Sequence, residues 1–188
     1  MADFSLSSSK LKAYEGGYSH HASDRGQETY RGVARSRHPF WPGWAIIDRL
    51  KEHSGSSIAF DMNAELQTAV DEFYRTEFWN VLWGDRLPSQ AIADELFEQA
   101  VNFGASVAIR HLQRALNVLN NGGKRYDDVL VDGWMGGGTY AACNRCLVQS
   151  HEAHLLTVLK CLQGARYIEI MERDPSQEVF CLGWLSRV

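Results

Sequence analysis

Glu15, Asp24 and Thr29 lie within AYEGGYSHHASDRGQETYRG, residues 13–32, spaced nine and then five positions apart. Acid-assisted cleavage of a glycosidic bond needs a carboxylic acid to protonate the leaving oxygen and a carboxylate or held water across the sugar. Glu15 suits the first role. The residues before it carry a helical pattern and Gly16-Gly17 follow, so Glu15 is expected at a helix C-terminus, where the negative end of the macrodipole disfavours ionisation. Partial burial in a cleft would act the same way and keep a proton on the acid near neutral pH. The glycine pair also lets the chain turn sharply beside a bulky substrate. Asp24 stands beside Arg25 in a polar loop and is expected to stay ionised, stabilising an oxocarbenium-like charge or activating water that the Thr29 hydroxyl holds. The plainer reading of the same residues is a solvated helix-end acid and a loop-capping acid.

The elements that must position these groups read mainly as α-helix. SSSKLKAY, from about Ser7 to Tyr14, suits a first helix with serines as N-cap. Residues 18–43 are loop-rich, with at most a short hairpin around Thr29–Val33. WAIIDRLKEH follows as a helix ended by SGSS, and AELQTAVDEFYRTEFWNVL, from Ala64, repeats apolar residues at helical spacing as one long helix. Pro88-Ser89 opens IADELFEQAVNFG; ASVAIRHLQRALNVL, residues 105–119, is a further helix ended by NNGG. After a polar loop, Thr139 is expected to cap the first of two final helices. Residues 1–88 are taken as a catalytic region and 89–188 as a helical binding region, packed together as one unit.

The 188 residues are 45% hydrophobic and 22% charged, ordinary globular usage that supports one sizeable core. No run approaches the roughly 18 apolar residues of a membrane helix, so stable membrane insertion is not expected. The start, MADFSLSSSK, lacks a basic region followed by an apolar stretch. Synthesis in the cytoplasm is therefore expected, and release through a holin or similar export pore would carry the protein to an outer site of action. Net charge is −4, with +3 over residues 1–51 and −7 beyond. That asymmetry could favour an anionic ligand near the start, but no basic stripe with interleaved aromatics points to nucleic acid.

All four cysteines, Cys143, Cys146, Cys161 and Cys181, lie late in the chain and read as reduced thiols. Cys143-x-x-Cys146 with His151 and His154 invites a zinc reading, yet continuous helix would carry the two pairs one or two turns apart. The cysteine pair reads instead as core, and neither a metal nor a cofactor is expected. DGWMGGG, residues 132–138, lacks the Lys-Ser/Thr ending of a phosphate loop. It is either a turn exposing Trp134 to sugar or peptide, or a loop with a packed Trp. HPFWP, residues 38–42, sets aromatics in the loop region, for stacking on a sugar or for packing.

Taken together, Glu15-Gly16-Gly17-Tyr18, Asp24, Gly26 and Thr29-Tyr30-Arg31-Gly32 resemble the signature of the phage-type N-acetylmuramidases of glycoside hydrolase family 108, also called secretion activator proteins. Phe78-Trp79 is similar to the family's Tyr-Trp pair, and residues 96–104, LFEQAVNFG, to its Asn/Gly-containing helix. Residues 108–117, then 131–136, then the ending GWLSRV resemble the associated peptidoglycan-binding region. The resemblance implies a lysozyme-like helical fold and hydrolysis of the β-1,4 bond between N-acetylmuramic acid and N-acetylglucosamine in peptidoglycan glycan strands. It implies Glu15 as catalytic acid, with Asp24 and Thr29 as its companions. Tyr18 and Asn102 are implied as substrate hydrogen-bonders, and Tyr30, Trp79 and Trp134 complete the candidate binding set. The chain departs from the family pattern at Ser19, His20, His21 and Ser23, where aspartates are frequent, and at Gln27, where glycine is. A non-catalytic peptidoglycan-binding or secretion-accessory protein, and a lytic transglycosylase, are the alternatives.

Overall fold

The computed structural model describes residues 1–12, 17–20, 28–54, 57–149 and 151–188. They fall into two units, Phe4–Glu77 and Met1–Asp3 with Phe78–Val188.

In the first unit, α1 (Phe4–Lys12) precedes a small sheet of β1 (Tyr18–His20), β2 (Glu28–Tyr30) and β3 (Val33–Ala34), followed by α2 (Gly43–Ser54), α3 (Ser57–Asp61) and α4 (Ala64–Tyr74). The expected hairpin is β2–β3. Its turn, Arg31-Gly32, has φ of 43° and 78°, the left-handed pair that matches strand twist in two-residue hairpins. β1 adds to β2 antiparallel, setting Tyr18 opposite Tyr30 and Ser19 opposite Thr29. Three residues are too few to show an alternating pattern, so the sequence gives this strand no signal. The core gathers Tyr30 and Val33 from the sheet, Trp44 and Ile47 from α2, Phe60 from α3, and Leu66 and Val70 from α4.

The first helix and the long helix from Ala64 differ from expectation. α1 begins at Phe4, so the serines lie inside it; Ser7 and Ser8 are buried, and the Ser8 hydroxyl donates to Asp71 Oδ1 of α4 at 2.8 Å. Neither caps the helix, and Ser8 joins it to α4. The long helix from Ala64, capped by Asn63 accepting from the Leu66 amide, stops at Tyr74. A π-helical stretch, Arg75–Trp79, follows. Such a turn takes an extra residue and rotates whatever comes next. Trp83, at φ 55°, then begins a 3-10 turn over Gly84–Arg86.

The second unit is built on α5 (Gln90–Phe103), α6 (Ala105–Leu119), α7 (Gly137–Val148) and α8 (Glu152–Arg173), ending in a 3-10 turn (Pro175–Phe180) and α9 (Cys181–Leu185). Ser89 caps α5 by accepting from the Ile92 amide. α6 has the expected bounds, and left-handed residues Asn121, Gly122 and Gly123 follow it. α5, α6 and α8 pack on one another through Ile92, Leu96, Phe97, Ala108, Leu112, Leu116, Leu155 and Leu159. Thr139 is inside α7, whose N-cap is Gly136. The Ala2 amide donates to the Leu87 carbonyl at 2.8 Å, and the Asp3 amide to Gln90 Oε1 at 2.7 Å, tying the first residues to this unit. Among the described residues no helix is long and apolar enough to cross a membrane. The protein is mainly α, with one small sheet in its N-terminal part.

Candidate functional site

β2 turns Glu28 and Tyr30 to one face and Thr29, half-buried, to the other, beside Ser19 and Ala34. The inward face is a network of ions and hydroxyls. Glu28, 5% exposed, accepts from the Tyr18 hydroxyl at 2.7 Å, from Arg35 at 2.6 Å and from Lys51. Burial alone would raise its pKa, but Lys51, Tyr18 and Arg35 outweigh burial and hold the carboxyl below its ordinary value. Tyr30, fully enclosed, donates to Asp61 Oδ1 at 3.1 Å and accepts from Gln67 Nε2 at 2.8 Å. Buried polar groups matched in this way fix strand position as well as charge. Burial raises the Tyr30 hydroxyl's pKa, so it stays protonated at neutral pH. Tyr18 is half-buried, its ring edge-on to Phe60 at 5.1 Å and under the Lys51 ammonium.

Beside α4, residues 37–42 border a groove of about 440 Å³ whose other wall includes Ala69, Glu72, Phe73, Thr76 and Glu77. The two readings of HPFWP both find a place here. Trp41 is buried and its indole N–H donates to the Ala69 carbonyl at 3.2 Å, whereas Phe40 is 96% exposed at the groove.

In the second unit, Trp134 is 75% exposed, so the loop presents the ring instead of packing it. The buried Gln113 side chain organises that loop: its Oε1 accepts from the Gly133 amide at 2.9 Å, and its Nε2 donates to Asp132 Oδ1 at 2.8 Å and to the Trp134 carbonyl at 3.1 Å. Asp132 Oδ1 also accepts from the Trp134 amide at 2.8 Å. Gly133 has φ of 78°, and a Cβ there would lie 2.4 Å from Ser106 Oγ and 2.8 Å from the Ser106 carbonyl. Gly133→Ala should therefore destabilise the second unit by about 1–3 kcal/mol, read as a lower melting temperature.

The structure brings Tyr18, Thr29 and Tyr30 onto adjacent strands of one sheet, with Thr29 on the opposite face from the tyrosines. Glu15 and Asp24 lie outside the described residues. Asn102 Nδ2 donates to the Tyr167 hydroxyl at 3.1 Å. Trp79 is 0% exposed, edge-on to Phe97, its indole N–H donating to Asp85 Oδ1 at 2.8 Å; the ring expected in the binding set is packed in the interior instead. Cys143 and Cys146 are both buried, and burial, then the neighbouring Cys146, pushes the Cys143 thiol up to about 12. Glu28, Lys51 and Arg35 are site residues that no motif in the sequence marks. Glu28 adjoins Thr29, but a three-residue strand is too short for alternation to mark it, and its partners come from distant positions.

Residues 9–104, just over half of the chain, match the family described as Glycosyl hydrolase 108, and residues 107–188 match Predicted Peptidoglycan domain. Among solved structures the chain is similar to that titled "Structure of Brucella abortus SagA", with a TM-score of 0.62 and 22% identity over 98% of this chain and 88% of that one. The likeness is one of fold. No curated protein matches the chain at a significant level.

Proposed function

The chain belongs to the glycosyl hydrolase 108 family, and from that membership we propose that it is an N-acetylmuramidase, hydrolysing the β-1,4 bond between N-acetylmuramic acid and N-acetylglucosamine in peptidoglycan. The observation that carries the reading is the family match over residues 9–104, which contains the Glu15-Gly16-Gly17 string, followed directly by the peptidoglycan domain match. In this mechanism Glu15 protonates the bridging oxygen. Asp24 stays ionised to stabilise the positive charge that develops on the sugar or to activate water, and Thr29 positions that water. Tyr18 and Tyr30 support the strand that carries Thr29. Asn102 and Trp134 supply substrate contacts.

Loss of turbidity of a purified cell-wall suspension tests this reading, because binding alone clears nothing. A protein that sediments with walls and leaves them turbid would be a binding or accessory protein. Mass spectrometry of the products separates hydrolysis, which gives reducing ends, from transglycosylation, which gives 1,6-anhydro ends. The protein meets this substrate in the periplasm or wall, after release through a holin or an export pore.

Asp24→Asn should slow clearing by about 10²-fold, the scale of losing one preorganised charge at the reacting centre. A silent Asp24→Asn would assign the second acid to another side chain. Trp134→Ala should leave the melting temperature unchanged, since the exposed ring packs little, and weaken co-sedimentation with walls about tenfold, as truncation of an aromatic anchor does. Unchanged co-sedimentation would remove Trp134 from the binding surface.

A further inference from the structure

Between α6 and α8 lies a second groove, of about 270 Å³, lined by Val107, Arg110, His111, Arg114, Leu162, Ala165, Arg166 and Glu169. Three guanidiniums meet one carboxylate there: Arg166 Nη1 is 2.9 Å from Glu169 Oε2, leaving the groove with surplus positive charge in a chain whose net charge is −4. Arg166 Nε is buried with no hydrogen-bond partner among the described residues. Arg114, exposed one turn from Arg110 on α6, has no carboxylate within ion-pair distance among the described residues. His111 adds no charge to the groove. Its Nδ1–H donates to Gln99 Oε1 at 2.6 Å, and burial, then the Arg114 and Arg166 cations, pushes its pKa down to about 4. Arg110 joins this groove to the loop that presents Trp134, donating to Ser106 Oγ at 3.0 Å and to the Asp132 carbonyl at 3.1 Å.

We propose that the α6–α8 groove is a carboxylate-binding subsite, in which Arg114 and Arg166 hold a free carboxylate of the peptides that hang from the glycan strands. The inference rests on peptidoglycan being the substrate, and it names the part of that polymer read here. Guanidinium donors form a planar fork that matches a carboxylate with two parallel hydrogen bonds. The groove is smaller than the ~300–1,000 Å³ typical of sites that enclose a drug-sized ligand, and suits the end of one amino-acid residue. A glycan stacked at Trp134 and a peptide carboxylate at the arginines would then engage one surface through Arg110.

The test is co-sedimentation of the full-length protein with intact sacculi and with sacculi stripped of peptides by an amidase. Arg114→Gln/Arg166→Gln should bind intact sacculi about tenfold more weakly and stripped glycan as the wild type does. Equal binding of variant and wild type to both polymers would overturn the proposal, as would an equal loss on both. A competition on the wild-type protein keeps the question open to decision if the variant misfolds. A wall-derived peptide with free carboxyls should displace the protein from intact sacculi, and the fully amidated peptide should not. Displacement by the amidated form, or equally well by inorganic phosphate, would overturn it. Clearing of walls by the wild type is read alongside: clearing that persists while these arms fail sinks the subsite alone, whereas a wild type that neither binds nor clears walls sinks both.

Discussion

Glu15→Gln should lower the initial rate of cell-wall clearing by roughly 10³-fold, within the 10²–10⁴ that a positioned general acid contributes, while the melting temperature stays at the wild-type value. The amide keeps the size and shape of the side chain and has no proton of suitable acidity to give to a bridging oxygen. Co-sedimentation with sacculi should persist, because the contacts proposed at Trp134 and the arginine groove do not involve this residue. Wild-type clearing by Glu15→Gln would dismiss this side chain as the acid. Clearing lost together with the melting transition would show instead that Glu15 holds the fold.

The largest stability effect is expected at Glu28. Glu28→Gln removes the negative charge that Lys51, Arg35 and the Tyr18 hydroxyl converge upon. Breaking a buried ion pair from one side leaves the other charge uncompensated and costs about 3 kcal/mol or more. Here Lys51 and Arg35 keep about a third of their side-chain surface in water, which favours the lower end. For a unit the size of Phe4–Glu77 that is roughly a 10 °C fall in melting temperature or more. The pH dependence follows from the sign of the shift. The folded-state pKa of Glu28 lies below its ordinary value, with burial opposed and outweighed by Lys51, Tyr18 and Arg35. Its stabilisation is complete above the unfolded carboxyl's pKa, about 4.3, and drains away as pH falls through the lower folded value. Below roughly pH 4 the wild-type melting temperature should therefore fall more steeply than that of Glu28→Gln. Parallel curves would mean that Glu28 is not the linked group.

Helical periodicity carried most of the architecture. The bounds of α6 and the cap at Ser89 follow from local pattern, because an amphipathic face and a hydroxyl before it are written within a few residues. What escaped the pattern was decided by tertiary pairing. Nothing within Ser7-Ser8 distinguishes a cap from a buried helix surface until Asp71 supplies the partner. Nothing in RTEFW announces a π turn, since Arg75–Trp79 continue the same apolar spacing as α4. The candidate site divides likewise. Glu15, Asp24 and Thr29 are legible as types in a string, and the resemblance of that string to a family adds their order. Glu28 and its two cations come from β2, the residues just after β3 and α2, and only folding puts them together. Arg114 and Arg166, 52 positions apart, meet at one groove for the same reason.

The two family matches meet at residues 104 and 107, around Gly104, whose φ of 92° separates α5 from α6. Yet α5 is part of the second unit, packed on α6 and α8. A gene fusion that grafts residues 107–188 onto another hydrolase would leave behind the helix that covers their apolar side, and the graft would arrive sticky and half-open. The compact unit joins Met1–Asp3 to Phe78–Val188, so a swap that keeps it whole has to carry α5, Asn102 included, across the boundary drawn by the family matches.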